Sequence, residues 1–92
     1  MTKLSLLSSA DMQQHLCQWL WQQRKAQKLS RQALAERSTV PAATIKKFET
    51  TGQISLRQFL LLWQSLDDLN RLAALTRPPG TQPSSIDEVL GQ

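Results

Sequence analysis

The middle of the chain is cut into short pieces by Ser30, Pro41 and Gly52, and this punctuation limits the fold more than any other feature of the sequence. Serine caps helix N-termini, proline is tolerated in a first helical turn where its missing N–H is not needed, and glycine supplies the turn past a helix end. These signals predict a two-turn helix over 31–37, a break at Ser38, Thr39 and Val40, and a second short helix from Pro41 to about Thr50 or Thr51. Two short helices joined by a three-residue turn form a unit in which the second can stand proud of the body.

The flanking segments are helical as well. Ser8 precedes Asp11 by three residues, a capping pattern, and the helix it opens should run to about Gln27 with Met12, Leu16 and Leu20 on one buried face. Ser55 opens a fourth helix carrying Leu56, Phe59, Leu62, Trp63 and Leu66. Asp67 and Asp68 suit the positive end of a fifth, which must stop by Thr76 because Pro78 and Pro79 forbid continuation. No segment alternates at strand length. The expected fold is all-α, a compact five-helix domain over 9–76 with a loose arm at 1–8. A short flexible Pro/Ser-rich tail at 77–92 could hold a final helical turn capped by Ser85.

Composition excludes several classes. With 40% apolar and 20% charged residues the 92-residue chain reads as an ordinary globular domain with room for one core. The single cysteine, Cys17, cannot form an internal disulfide, the N-terminus carries no signal-peptide run, and the longest apolar run, Phe59 to Trp63, is far too short for a membrane span. The expected compartment is the cytoplasm. One histidine, His15, no tyrosine and no glycine-rich phosphate loop leave nothing to assemble a catalytic, metal or cofactor site.

Charge is unevenly spread. Residues 20–60 carry eight basic side chains against Glu36 and Glu49, leaving that segment at +6, whereas residues 61–92 stand at −2. A basic segment attracts polyanions, and with nucleic acid it releases counterions. At 100° per residue, Ile45 and Phe48 of the third helix face inward with Val40, while Ala43, Lys46, Lys47 and Thr50 face outward. Ala35 is small where the second and third helices cross. A major groove about 12 Å wide admits such a helix, alanine meets thymine methyls, and lysine reaches guanine acceptors or phosphate. A merely solvated basic face is the bland alternative.

The string from Leu29 to Arg37, followed by Val40 to Glu49, resembles the phage-repressor/Cro helix-turn-helix family over roughly residues 12–75. The resemblance implies that Arg31 braces the DNA, that Ala42, Ala43 and Lys47 read bases, and that Thr44 and Lys46 lie near phosphate. Thr50 and Arg57 join the DNA-facing set. It also implies a structural ion pair between Arg24 and Glu49. Two positions depart from the family pattern, Thr39 where glycine is usual and Gln23 where an apolar residue is usual. Residues Phe48 to Gly52 and Ser55 to Leu66 are further similar to the HipB-like antitoxin branch, which implies an autorepressor working beside a HipA-like kinase toxin.

A repressor of this kind is expected to bind an inverted-repeat operator in double-stranded DNA as a homodimer. Leu60, Leu61 and Trp63 on the fourth helix, and Trp19 and Trp21 on the first, are the candidate dimer or partner surfaces, with core packing as the alternative for the tryptophans. Ile86, Val89 and Leu90 of the tail form a second candidate surface, or else a frayed terminus. A plain phage-type repressor without a toxin, and a helical protein-interaction adaptor without a DNA role, are the other readings; fold alone does not separate them.

Overall fold

The computed structural model describes residues 6–78, which form five α-helices and no strand. They are α1 (Ser9–Ala26), α2 (Arg31–Ser38), α3 (Ala42–Thr51), α4 (Leu56–Leu66) and α5 (Leu69–Ala73), which runs on into a 3-10 turn, Ala74–Thr76. The helical turn expected at Ser85, the apolar tail residues and most of the N-terminal arm lie outside the described residues.

Local chemistry sets the boundaries. Ser8 and Asp11 close a reciprocal capping box, Asp11 N–H donating to Ser8 Oγ and Ser8 N–H to the Asp11 carboxylate, each at 3.1 Å. Hydrogen bonding to the carboxyl, first from the Ser8 backbone and next from the Ser8 side chain, holds Asp11 below its ordinary value. Ser30 and Ser55 cap α2 and α4 by accepting from Ala33 N–H and Gln58 N–H. Pro41, expected inside the first turn of α3, instead precedes it as the N-cap residue with ψ 144°, and its carbonyl accepts from Thr44 and Ile45. Both places suit a residue with no N–H to leave unpaired.

The turns on either side of α3 are left-handed. Gly52 closes the helix with φ 78°, and Thr39 closes α2 with φ 66°. For a β-branched residue that conformation costs about 1–2 kcal/mol. The surroundings hold it there: Thr39 N–H donates to Ala35 O at 2.8 Å, and Ser38 Oγ accepts from Val40 N–H at 3.1 Å. Val40 is thereby set into the core at 1% exposure.

Ten apolar residues make that core: Cys17 and Leu20 of α1, Leu34 of α2, Val40, Ile45 and Phe48, and Phe59, Leu62, Trp63 and Leu66 of α4. Met12, predicted to be buried, is 43% exposed, and the buried stripe of α1 runs through Cys17, Leu20 and Arg24. At that end of α1 the flank toward the α3–α4 turn belongs to Gln13, whose Nε2 donates to Gly52 O at 3.2 Å. Trp63, predicted as an interface residue, is instead spent on the core. Its ring stacks on Trp19 at 4.4 Å, tilts against Phe59 at 5.9 Å, and its Nε1 donates to Asp68 O at 2.9 Å. Gln27 ties the far ends of α1 and α4 together through a 3.0 Å bond to Leu66 O.

Candidate nucleic-acid interface

One side of α3 is fully committed to the fold. Ile45 and Phe48 are at most 2% exposed, and Phe48 meets Phe59 edge-on at 5.7 Å. Glu49, on the flank toward α1, has only 2% of its side chain exposed and is held by two arginines. Arg24 grips it in a two-pronged fashion, Nε to Oε2 at 2.7 Å and Nη2 to Oε1 at 3.0 Å, while Arg24 Nη1 donates to Leu29 O at 2.9 Å. Arg31 Nε then donates to Oε1 at 2.9 Å. Charge-assisted, bidentate bonds of this kind are short and directional. They lock α1, α2 and α3 to one another at a single carboxylate, and the cluster keeps a net positive charge.

The Arg24–Glu49 pair is the one expected from the sequence, but the third member was missed there. Glu49 is the sole acid between Arg37 and Leu66, so a segment this basic offered it more than one guanidinium. Arg31, at the first position of α2, keeps 38% of its side chain exposed, and the bond to Glu49 engages Nε. Its terminal nitrogens lie farther along the side chain, past the bonded edge.

The other side of α3 is committed to nothing. Ala43, Lys46, Lys47 and Thr50 are exposed, Ala42 and Thr44 are half-buried, and neither lysine has an ion-pair partner among the described residues. Thr50 turns its hydroxyl back to the helix, donating to Lys46 O at 2.9 Å and Lys47 O at 3.2 Å, which leaves its oxygen as an acceptor. Arg57 stands exposed in the first turn of α4. Ala43, Lys46, Lys47 and Thr50 thus share one helix face, small at its N-terminal end and basic beyond, with Ala42 and Thr44 at its two edges.

The predicted partner surfaces divide. Trp19 and Trp63 pack on each other, whereas Trp21 is 45% exposed. It borders a depression of about 420 Å³ lined by Cys17, Gln18, Trp21, Gln22 and Glu49. Leu60 and Leu61 are half-buried; Leu60 joins Leu69, Leu72, Ala73 and Thr76 around a shallow apolar groove of about 260 Å³, and Leu69 and Leu75 nearby are exposed. No helix among the described residues is long and apolar enough to cross a membrane. Searches against protein-family models, curated proteins and solved structures each return no significant match.

Proposed function

We propose that the chain is a sequence-specific DNA-binding transcriptional regulator that lays the outer face of α3 into the major groove. The observation that carries this reading is the division of α3. A ten-residue helix is fixed on its inner side by Ile45, Phe48 and the Glu49 cluster, and presents on its outer side Ala43, Lys46, Lys47 and Thr50, which the fold does not use. Lys47 and Ala43 contact base edges, while Lys46 and Arg31 contact phosphate. The test is retention of a labelled duplex at rising salt, with selection of a preferred sequence from a random pool. A preferred site and a steep salt slope are expected; no duplex binding at low salt overturns the reading and leaves a helical adaptor.

The working form is a homodimer on an inverted repeat, with half-site centres about 34 Å apart. One short helix reads too few bases, and the exposed apolar surface of α4 and α5 around Leu60, Leu69 and Leu75 offers an isologous contact. Sedimentation that finds a monomer both free and on DNA overturns it. The HipA-like kinase toxin implied by the branch resemblance is tested by co-expression and co-purification with the product of a neighbouring kinase-like gene.

A further inference from the structure

The depression beside Glu49 opens next to the outer face of α3. Ala42, Lys46 and Glu49 recur at i, i+4 and i+7, so they share the flank of α3 that faces α1. Across the depression, α1 contributes Gln18, Trp21 and Gln22, all exposed, and Lys25 Nζ lies 5.6 Å from the Trp21 ring centroid. Arg31 reaches the same place from α2 through its bond to Glu49.

Every charged group around this surface that is not already neutralised is basic. Glu49 is held by Arg24 and Arg31 in a cluster of net charge +1, Lys25 lies over the Trp21 ring, and Lys46 stands one helical turn from Glu49 on the same flank of α3. Two glutamine amides and an indole N–H add neutral donors, the groups that phosphate oxygens accept from. A protein partner would meet a surface with no apolar residue fully exposed beside the indole, and an acidic one would have to match a row of charges spread over three helices. A sugar-phosphate backbone supplies that row by its own repeat.

We infer that the α1 surface formed by Gln18, Trp21, Gln22 and Lys25 is a second contact with the DNA backbone, flanking the segment that α3 reads. The inference rests on the DNA-binding reading above and extends its footprint to strand positions α3 does not touch. Trp21 lays its ring against the sugars and points its N–H at phosphate, while Lys25 neutralises the same strand. Because backbone contacts carry no base information, this surface adds affinity equally on all sequences.

The three tryptophans make the test direct, since Trp63 is buried, Trp19 is half-buried against its ring, and Trp21 is the most exposed indole. A fluorescein-labelled mixed-sequence duplex reports binding by anisotropy, independently of tryptophan, while acrylamide quenching reports the exposure of Trp21. Saturating duplex is expected to remove the Trp21 share of the quencher-accessible emission, the share that Trp21→Ala also removes. Trp21→Ala should lose that response and bind about fivefold more weakly to selected and random duplexes alike. Gln22→Glu, a fully surface change, should weaken binding by a similar factor through repulsion, and Lys25→Gln should lower the salt slope by about one. Anisotropy showing a bound duplex while Trp21 stays open to acrylamide and both neutral-site variants bind normally overturns this inference and leaves the α3 reading standing. Shielding of Trp21 by a co-purifying protein but not by duplex also overturns it. No anisotropy change with any duplex overturns the DNA reading itself and this surface with it.

Discussion

The two faces of α3 obey different constraints. On the inner face each side chain has a partner that folding alone rewards: Ile45 and Phe48 are buried, and Glu49 collects two arginines. On the outer face Ala43, Lys46 and Lys47 meet only water, and nothing in the monomer selects them. The contrast separates, within a single ten-residue helix, the side chains that hold the fold from those the fold leaves unused. A residue needed for packing should alter unfolding, and one needed for binding should leave unfolding alone.

The strongest way to break that division is Glu49→Ala. Removing the carboxylate strands Arg24, whose side chain is 5% exposed, and releases Arg31. A loss of about 3–5 kcal/mol in urea unfolding is expected, close to the whole stability of a small domain. A loss below 1 kcal/mol would show that the arginines find water instead. Next come Lys47→Ala and Ala43→Glu on the opposite face. Each should reduce affinity for a selected duplex by about 1–3 kcal/mol in titrations, with random-duplex affinity less affected for Lys47→Ala. Their unfolding free energies in urea should stay within about 0.5 kcal/mol of the parent.

The turns that aim the two faces give a smaller effect. Thr39→Gly relieves a left-handed threonine and should stabilise by about 1 kcal/mol, raising Tm by about 4–8 °C. Gly52→Ala should act in the opposite sense, because φ is 78° and the new Cβ would meet Gln14 Nε2 at 3.2 Å and Gln13 Cβ at 3.4 Å. If Thr39→Gly stabilises and yet weakens duplex binding, the turn fixes the angle of the outer face as well as joining two helices. The smallest effect belongs to Asp11, remote from both faces. Its carboxyl is depressed by bonding to Ser8, so its contribution is complete above the unfolded value and is lost as pH falls through the lower folded one. Acid should therefore fray the N-terminus of α1 in the parent through that range, and Asp11→Asn should flatten this part of the pH profile by circular dichroism.

What could be read from the sequence is what neighbours in the chain decide. Ser8, Ser30 and Ser55 announced their helices because a cap bonds within three residues, and Gly52 and Pro41 act on their own backbone. The outward set on α3 followed from helical period once Ile45 and Phe48 were taken as inward. Contacts between distant residues were not legible. Trp19 finds Trp63 and Gln27 finds Leu66 O only after α1 and α4 are laid side by side, and no pattern within either helix fixes that pairing. Met12 was misplaced for the same reason, since an apolar period shows which residues share a face but not how far along the helix the neighbour extends. Trp21, Gln18 and Gln22 carried no family signal, and their common surface exists only because Glu49 is drawn against α1.

The carboxylate of Glu49 closes chain segments of 25 and 18 residues at one point. The full set of its bonds forms only when α1, α2 and α3 have all arrived, whereas the caps and the local turns form within each piece. Ion-pair geometry this demanding is expected to form after the folding transition state, which a φ-value near zero for Glu49→Ala in stopped-flow folding would check. Interactions absent from the barrier leave the folding rate nearly untouched and slow the escape from the native state. Glu49 is therefore expected to act as a latch on the lifetime of the folded domain, so that Glu49→Ala speeds unfolding far more than it slows folding.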